Sequence, residues 1–297
     1  MKRILLIVVT MASCLPATIS GPVLSGDYQS HRIKLSSFAQ PNHGTIGLLV
    51  KARVDDGPQL RLLLDSGAEH LVLDNRAAKR SGYSEGARLE LVGAGTRAKS
   101  VRLATARRIE IGTVAFQDFS FVIAEGEVLD GVDGVIPLSM FAGFLVKLDV
   151  PGRTLELEPY PSDVGPGFVP VRTAHRLLFV DTTLDGQHQG SLLLDTGSYY
   201  NVISNSAAKV LRRSRAMGEN LAIVAGAGKT AGRMLANRVS YEFGDRKLIL
   251  EPVVAVDLEE VSRRNQFDVS GVIGFPALAN SVVTVSYRDA MVRITGK

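Results

Sequence analysis

The residues best suited to chemistry are two matched triplets, Asp65-Ser66-Gly67 and Asp195-Thr196-Gly197. Three leucines precede each aspartate, so an apolar strand delivers a carboxyl group to the edge of a core. The hydroxyl residue is suited to bond across to an opposing loop, and the glycine lets the chain turn sharply. Two carboxyl groups that meet share one proton, because both cannot readily ionise at once. Such a pair is a matched acid and base, which can activate a water molecule.

The triplets lie inside an internal repeat. Residues 62–79 and 192–209 share ten identities in eighteen gap-free positions, at a constant offset of 130. Upstream of each triplet, alternating apolar residues around an Asp-Gly turn predict a β-hairpin. Downstream, the sequence GVIP at 134–137 is matched by GVIG at 271–274. The pattern predicts one mostly β unit that is present twice.

A short helix is predicted after each triplet loop. The sequences NRAAK and NSAAK follow Asp74 and Ser204, respectively. Side-chain oxygens at these two positions can accept the free backbone N–H groups of a first helical turn. We therefore expect Asp74 and Ser204 to be N-caps.

The repeat also predicts how the chain is divided. A chain of 297 residues favours two domains, because a single core stops growing at roughly 250–300 residues. A Pro- and Gly-rich stretch without an apolar period separates the two halves. The expected segments are a signal peptide at 1–20, a tether or added edge strand at 21–44, an N-terminal lobe at 45–158, a linker at 159–170 and a C-terminal lobe at 171–297.

The first residues predict export. Lys2 and Arg3 precede an apolar stretch at 4–9 and then small residues, a secretory pattern too short to span a bilayer. The sequence MASC resembles a lipobox in which Cys14 is the lipidation candidate, and the alternative is ordinary cleavage after Ser20. The expected location is the periplasm, with the protein either free or lipid-anchored at the outer membrane. Cys14 is the only cysteine, so no disulfide is expected.

The two triplets after apolar strands, each followed by GVIPL or GVIGF about seventy residues later, resemble the aspartic proteases. The sequence is similar in particular to a single-chain, duplicated retropepsin-like or pepsin-like enzyme of bacterial type, over nearly all of residues 45–297. The resemblance implies an all-β fold of two pseudo-symmetric acid-protease β-barrel lobes, each with one short helix or more. It also implies a monomer that acts as an internal pseudo-dimer.

The resemblance further implies roles for individual residues. Asp65 and Asp195 would be the catalytic pair of an endopeptidase that hydrolyses an extended peptide or protein segment without a cofactor. The residues that would support the pair are Ser66, Gly67, Thr196 and Gly197, together with Gly134 and Gly271 in the strands that back the two loops. Two mobile flaps would close over the substrate, and their candidate residues are Gly93, Ala94, Gly95, Gly226, Ala227 and Gly228.

Composition limits the other partners. The net charge of +4 comes from 34 Lys and Arg against 30 Asp and Glu scattered along the chain, which predicts no nucleic-acid binding. A membrane contact is expected only through the candidate lipid anchor. No metal site is expected, because the histidines lack metal-ligand spacing and are read as surface or loop residues. They are His31, His43, His70, His175 and His188.

Two questions stay open at the level of sequence. Glu69 and His70 either line the cleft or lie on the surface of the loop, and their counterparts Tyr199 and Tyr200 either contact substrate or pack between the lobes. The alternative function is a non-catalytic periplasmic protein for peptide binding or assembly, with the same fold and a misaligned pair of aspartates.

Overall fold

The structure is a computed structural model. It describes residues 3–5, 11–12, 23–26, 28–40, 44–92, 99–125, 131–211, 216–225, 228–235 and 238–296. The described chain forms three β-sheets and a few short helices, so the predicted all-β class is confirmed. One sheet belongs to each half of the repeat, and the third is built from both halves.

The sheet of the N-terminal half has ten strands. Its path is β2-β9-β10-β11-β8-β12-β7-β6-β5, and β3 pairs with β11. The strands are β2 (Met11–Ala12), β3 (Val23–Leu24), β5 (Ser36–Gln40), β6 (Gly44–Val54), β7 (Gln59–Asp65), β8 (Val72–Asp74), β9 (Ala87–Val92), β10 (Lys99–Ile111), β11 (Val114–Ala124) and β12 (Gly134–Pro137).

The sheet of the C-terminal half has eleven strands. Its path is β1-β20-β21-β24-β19-β25-β18-β17-β22-β23, and β16 pairs with β17. The strands are β1 (Arg3–Leu5), β16 (Arg172–Ala174), β17 (Leu177–Leu184), β18 (His188–Leu194), β19 (Asn201–Ser204), β20 (Ala216–Ala225), β21 (Gly228–Leu235), β22 (Val239–Phe243), β23 (Arg246–Leu250), β24 (Val253–Val256) and β25 (Val269–Ile273).

Six strands from both halves form the third sheet, in the order β15-β27-β26-β13-β14-β4. Each half contributes a hairpin, and the two hairpins join through antiparallel pairing of β13 with β26. Alternate side chains are buried in β13 and β27, as expected for a sheet with one packed face, whereas β26 is buried at five of its six positions. The strands are β4 (His31–Lys34), β13 (Leu145–Asp149), β14 (Thr154–Glu158), β15 (Val169–Pro170), β26 (Ser281–Ser286) and β27 (Met291–Gly296).

The helices are short, and two of them begin where the sequence predicts. Asp74 accepts a hydrogen bond from the Ala77 N–H at 2.6 Å, and Ser204 accepts one from the Ala207 N–H at 3.0 Å. No helix among the described residues is long and apolar enough to cross a bilayer. The helices are α1 (Asn75–Arg80), a 3-10 helix (Leu138–Phe141), α2 (Asn205–Val210), α3 (Glu259–Asn265) and α4 (Phe275–Leu278).

The two larger sheets have the same internal order of strands. The series β9-β10-β11-β8-β12-β7 in the first matches β20-β21-β24-β19-β25-β18 in the second. The segments β1 and β2, both inside the predicted signal peptide, pair with the equivalent strands β20 and β9. The structure therefore repeats the sequence duplication along these six strands.

Candidate functional site

Each aspartate lies at the end of a strand that a second, parallel strand supports. Strand β12 runs parallel to β7, in a register that places Pro137 opposite Asp65. In the other half, β25 runs parallel to β18, and the Asp195 N–H donates to the Ile273 carbonyl at 3.0 Å. The aspartates are therefore held by sheet hydrogen bonds and not by a free loop.

Glycine is required where these supporting strands pass their neighbours. A Cβ atom at Gly134 would lie 2.1 Å from the Val72 carbonyl oxygen, and one at Gly271 would lie 2.2 Å from that of Val202. Both distances are far inside van der Waals contact with backbone atoms that cannot rotate away. The supporting segments that the sequence singled out thus depend on their first glycine for close strand contact.

The two triplet loops are joined by four hydrogen bonds. The Ser66 hydroxyl donates to the Leu194 carbonyl at 2.8 Å and accepts from the Thr196 N–H at 3.0 Å. The Thr196 hydroxyl donates to the Leu64 carbonyl at 3.0 Å and accepts from the Ser66 N–H at 3.0 Å. All of these groups are buried, so the network fixes one loop against the other in a setting shielded from water.

This network brings Asp65 and Asp195 together. Oδ1 of each accepts from a glycine N–H of its own loop, Gly67 at 2.7 Å and Gly197 at 2.9 Å. A Cβ atom at Gly67 would lie 2.4 Å from Asp195 Cγ, and one at Gly197 would lie 2.4 Å from Asp65 Cγ. Each carboxyl group therefore rests against the glycine of the opposite loop. The Oδ2 atoms are buried and accept no protein donor within hydrogen-bond distance.

Burial sets the proton affinity of the pair. Both aspartates have 0% exposure, and removal from water raises the pKa of Asp65 to about 6. Burial also raises the pKa of Asp195 well above the usual aspartate value, and the nearby negative charge of Asp65 raises it further. The physical cause is that two adjacent carboxylates in a dry site repel each other. The pair as a unit therefore retains a proton to higher pH than solvent-exposed carboxyl groups do.

A buried ion pair between the lobes lies next to the first triplet. Arg264 of α3 donates from Nη2 to Glu69 Oε2 at 3.0 Å, while Glu69 Oε1 and Arg264 Nη1 are buried without a partner. Burial raises the pKa of Glu69 to about 7, although Arg264 and Arg176 oppose the shift. Burial and the same two cations lower the pKa of His70 to about 4. Glu69 is thus an internal residue between the lobes and not a surface residue of the loop.

The counterparts in the second half are aromatic. Tyr199 packs partly buried against the apolar clusters of both halves, and its ring lies 4.5 Å from that of Tyr200. Tyr200 is buried within the C-terminal cluster. Of the two readings left open by the sequence, packing between the lobes describes Tyr199.

Of the remaining candidate residues, most lie outside the described part of the chain. Cys14 and the flap candidates Gly93, Ala94, Gly95, Gly226 and Ala227 lie outside the described residues, as does His43. Gly228 begins β21, whose hairpin with β20 is the structural equivalent of the hairpin of β9 and β10. Among the described residues, no group of three or more His, Cys, Asp or Glu side chains is assembled as a metal site.

One histidine expectation was wrong. His31, predicted to be a surface or loop residue, is 7% exposed in β4, because its ring packs edge-on against Phe144. Its Nδ1 also lies 3.0 Å from the Thr113 hydroxyl.

Sequence reasoning did not identify Arg264 or Arg176 as neighbours of the site. Arg264 is 195 residues from Glu69 in the chain, and no motif or repeat links the two. The one available signal was Glu69 itself, three positions beyond Ser66. A buried acidic residue needs a cation nearby.

The comparisons with known proteins agree with this geometry. Residues 50–138 match the family described as aspartyl protease. No curated protein matches the sequence. The fold resembles the crystal structure of an aspartic proteinase from Irpex lacteus, with a TM-score of 0.59 and 13% identity over 90% of this chain and 97% of that chain. The family match contains the first triplet and its supporting strand, and the shared fold spans both lobes.

Proposed function

We propose that the protein is an aspartic endopeptidase in which Asp65 and Asp195 activate water to hydrolyse peptide bonds. The observation that carries the proposal is the pair of fully buried carboxyl groups, each seated against the glycine of the opposite loop. The match of residues 50–138 to the family described as aspartyl protease supports the same reaction class. The expected substrate is a peptide or protein segment in extended conformation between the lobes.

The reaction follows from the single proton that the pair shares. The ionised carboxyl group takes a proton from water, which attacks the scissile carbonyl carbon. The protonated carboxyl group donates to the developing oxyanion and then assists protonation of the leaving amine. The unpartnered Oδ2 atoms are the ones free to exchange these protons, because each Oδ1 already accepts from a glycine N–H. No covalent enzyme intermediate is needed.

The test is peptide cleavage by the wild type and by Asp65→Asn and Asp195→Asn. Each substitution removes the acid–base partnership, and we expect cleavage to fall by at least about a thousandfold with the melting temperature kept or raised. Asp118→Asn is the matched control, because Asp118 is an exposed aspartate outside the triplets. A folded wild type that cleaves no library peptide between pH 3 and 8 would instead favour the peptide-binding alternative.

We also propose that the protein is exported and functions as a monomer. The leader pattern at 1–20 supports export, and Cys14 is the lipidation candidate. One chain supplies both triplets, which supports a monomer. Mass spectrometry of the mature N-terminus distinguishes a lipid-modified Cys14 from cleavage after Ser20, and light scattering during gel filtration measures the oligomeric state.

A further inference from the structure

A cavity is lined by residues outside the two triplet loops. Its volume is about 440 Å³, which is within the range of small-molecule sites. The 3-10 helix after β12 contributes Ser139 and Met140, the turn between β16 and β17 contributes His175 and Arg176, and Tyr287 follows β26. None of the residues that line it belongs to the Asp65 or Asp195 loop.

Two residues that line this cavity have hydroxyl groups without hydrogen-bond partners. Ser139 is 6% exposed, and its Oγ has no hydrogen-bond partner. The Tyr287 hydroxyl is likewise buried and unpartnered. Buried polar groups are almost always hydrogen-bonded, so each of these needs an explanation. Ser139 and Tyr287 are both among the residues that line the cavity, so their hydroxyls are candidate donors to a ligand oxygen there.

The cavity wall contains a strained turn. His175 and Arg176 have φ of 52° and 66°, and they form the two-residue loop between paired Ala174 and Leu177. A loop with positive φ at both positions is normally built from Asn-Gly or a similar pair. Residues with bulky side chains persist in this conformation mainly where the surroundings or a function require them. Here the turn presents an arginine to the cavity.

The charge of the cavity is positive. The Arg176 guanidinium keeps its charge at every accessible pH. Partial burial and the charge of Arg264 lower the pKa of His175, which is therefore neutral at pH 7. Among the described residues, no acidic side chain lines the cavity, and Met140 and two alanines give it an apolar surface. One guanidinium, two hydroxyl donors and an apolar wall match a single carboxylate on a small apolar body.

We propose that this cavity binds a peptide carboxylate, with Arg176 pairing the charge and the Ser139 and Tyr287 hydroxyls donating to its oxygens. The ligand chemistry is a carboxylate from either a peptide C-terminus or an acidic side chain. The cavity is electrostatically linked to the triplet site, because the charge of Asp65 contributes to the raised pKa of Tyr287 and Arg176 acts on the pKa of Glu69. Asp65→Asn removes a nearby negative charge, so this variant is expected to bind the carboxylate at least as tightly as the wild type does.

The experiment follows the methyl resonance of Met140 in protein labelled at its methionine methyl groups. The probes are N-acetyl-alanyl-alanine, its C-terminal amide, and N-acetyl-alanyl-glutamic acid amide. We expect the first to shift the Met140 resonance and the uncharged amide to leave it unchanged. A shift with the third probe assigns the side-chain carboxylate as a ligand as well, and no shift with it restricts the site to a chain terminus.

Variants test the assigned contacts. Arg176→Met should weaken binding at least about tenfold, and Ser139→Ala and Tyr287→Phe a few-fold each, since a charged pair exceeds a neutral hydrogen bond. Arg107→Met is the matched control, because Arg107 is an exposed arginine on β10. The proposal is overturned if the amide binds as well as the acid, or if Arg176→Met binds as the wild type does.

A turn variant separates a ligand role from a structural one. The double substitution His175→Asn and Arg176→Gly supplies residues that prefer positive φ, so the melting temperature should rise. The same variant should lose the Met140 shift with N-acetyl-alanyl-alanine. A variant that is more stable and still binds would show that Arg176 does not hold the carboxylate.

Discussion

At the scale of single residues, two carboxyl groups fully removed from water favour their protonated forms. The fold holds them there through the hydroxyls of Ser66 and Thr196 and through the sheet bonds behind each loop. This arrangement lowers the free energy of unfolding at neutral pH, because Asp65 ionises more readily in the unfolded chain than in the folded one. Such a cost is typical of sites arranged for acid–base chemistry.

We expect Asp65→Asn to be more stable than the wild type at pH 8. A raised folded-state pKa means that the wild type loses stability as pH rises from the unfolded value of 3.8 to about 6. That shift corresponds to about 3 kcal/mol, which the neutral amide does not lose. Chemical denaturation at pH 4 and pH 8 measures the difference, which should be near zero at pH 4. An equal difference at both pH values would contradict the assigned cause.

The pH dependence of cleavage follows from the same pair. Below about pH 6 both carboxyl groups are protonated and the base is lost, so kcat/KM should fall on the acid side. At higher pH the second ionisation removes the acid, and activity should fall again. A bell-shaped profile with its acid limb near pH 6 is expected from kcat/KM measured between pH 3 and 9. A profile that rises continuously towards pH 3 would be inconsistent with the buried pair.

At the scale of elements, each triplet loop depends on a strand that passes through a space too narrow for any side chain. The same register and the same glycine recur in β12 and β25. Parallel pairing of β12 with β7, and of β25 with β18, is what carries the aspartates to equivalent positions. The glycines at 134 and 271 therefore act on the site through backbone placement.

We expect Gly134→Ala to destabilise the protein by about 2–3 kcal/mol and to lower cleavage together with stability. The added Cβ meets the Val72 carbonyl at 2.1 Å, and overpacking against backbone forces strands apart. Urea denaturation measures the change. Gly296→Ala serves as the control, because a Cβ there contacts nothing within 4 Å. Wild-type stability in Gly134→Ala would show that β12 can shift without cost.

The elements around the triplets could be predicted from the sequence because the signals there are local. Asp74 and Ser204 are N-caps as expected, and the strand that ends at Asp65 is marked by its leucines. Residues 246–256 form two strands, β23 and β24, which are interrupted at Pro252. Proline lacks the N–H that a ladder needs, which the apolar pattern alone does not reveal.

Long-range contacts could not be predicted from the sequence, for a different reason. Nothing in the sequence placed Arg264 of α3 against Glu69, because an ion pair across two lobes has no spacing rule. The third sheet likewise joins β13 to β26 across the whole repeat. The assignment of Asp65 and Asp195 as a catalytic pair stays a prediction until cleavage is measured, although their proximity is a property of the structure.

At the scale of the whole molecule, the lobes are held together by the third sheet, the triplet network and the ion pair of Glu69 with Arg264. The ion pair is the costly member of the three. Glu69 is 4% exposed, and removing one partner would leave an uncompensated buried charge.

We expect Arg264→Met to destabilise the protein by roughly 3 kcal/mol at pH 8 and by less at pH 5. At pH 5 Glu69 is protonated, since its pKa is about 7 even with Arg264 present and would rise further without it. Denaturation at both pH values measures the change. The control is Arg263→Met on the same helix, because Arg263 pairs with Glu260 and is 73% exposed. Equal losses at both pH values would argue against the ion pair as the cause.

The unlike residues Glu69 and Tyr199 at equivalent positions bear on the direction in which a peptide lies. A protease made of two identical chains presents the same surroundings to a polypeptide whichever way it runs. Here one side of the molecular pseudo-axis offers Glu69 with Arg264, and the other offers aromatic rings. For the proposed endopeptidase we therefore expect the N-to-C and C-to-N orientations of a bound peptide to be energetically distinct, which gives the duplicated chain a built-in polarity.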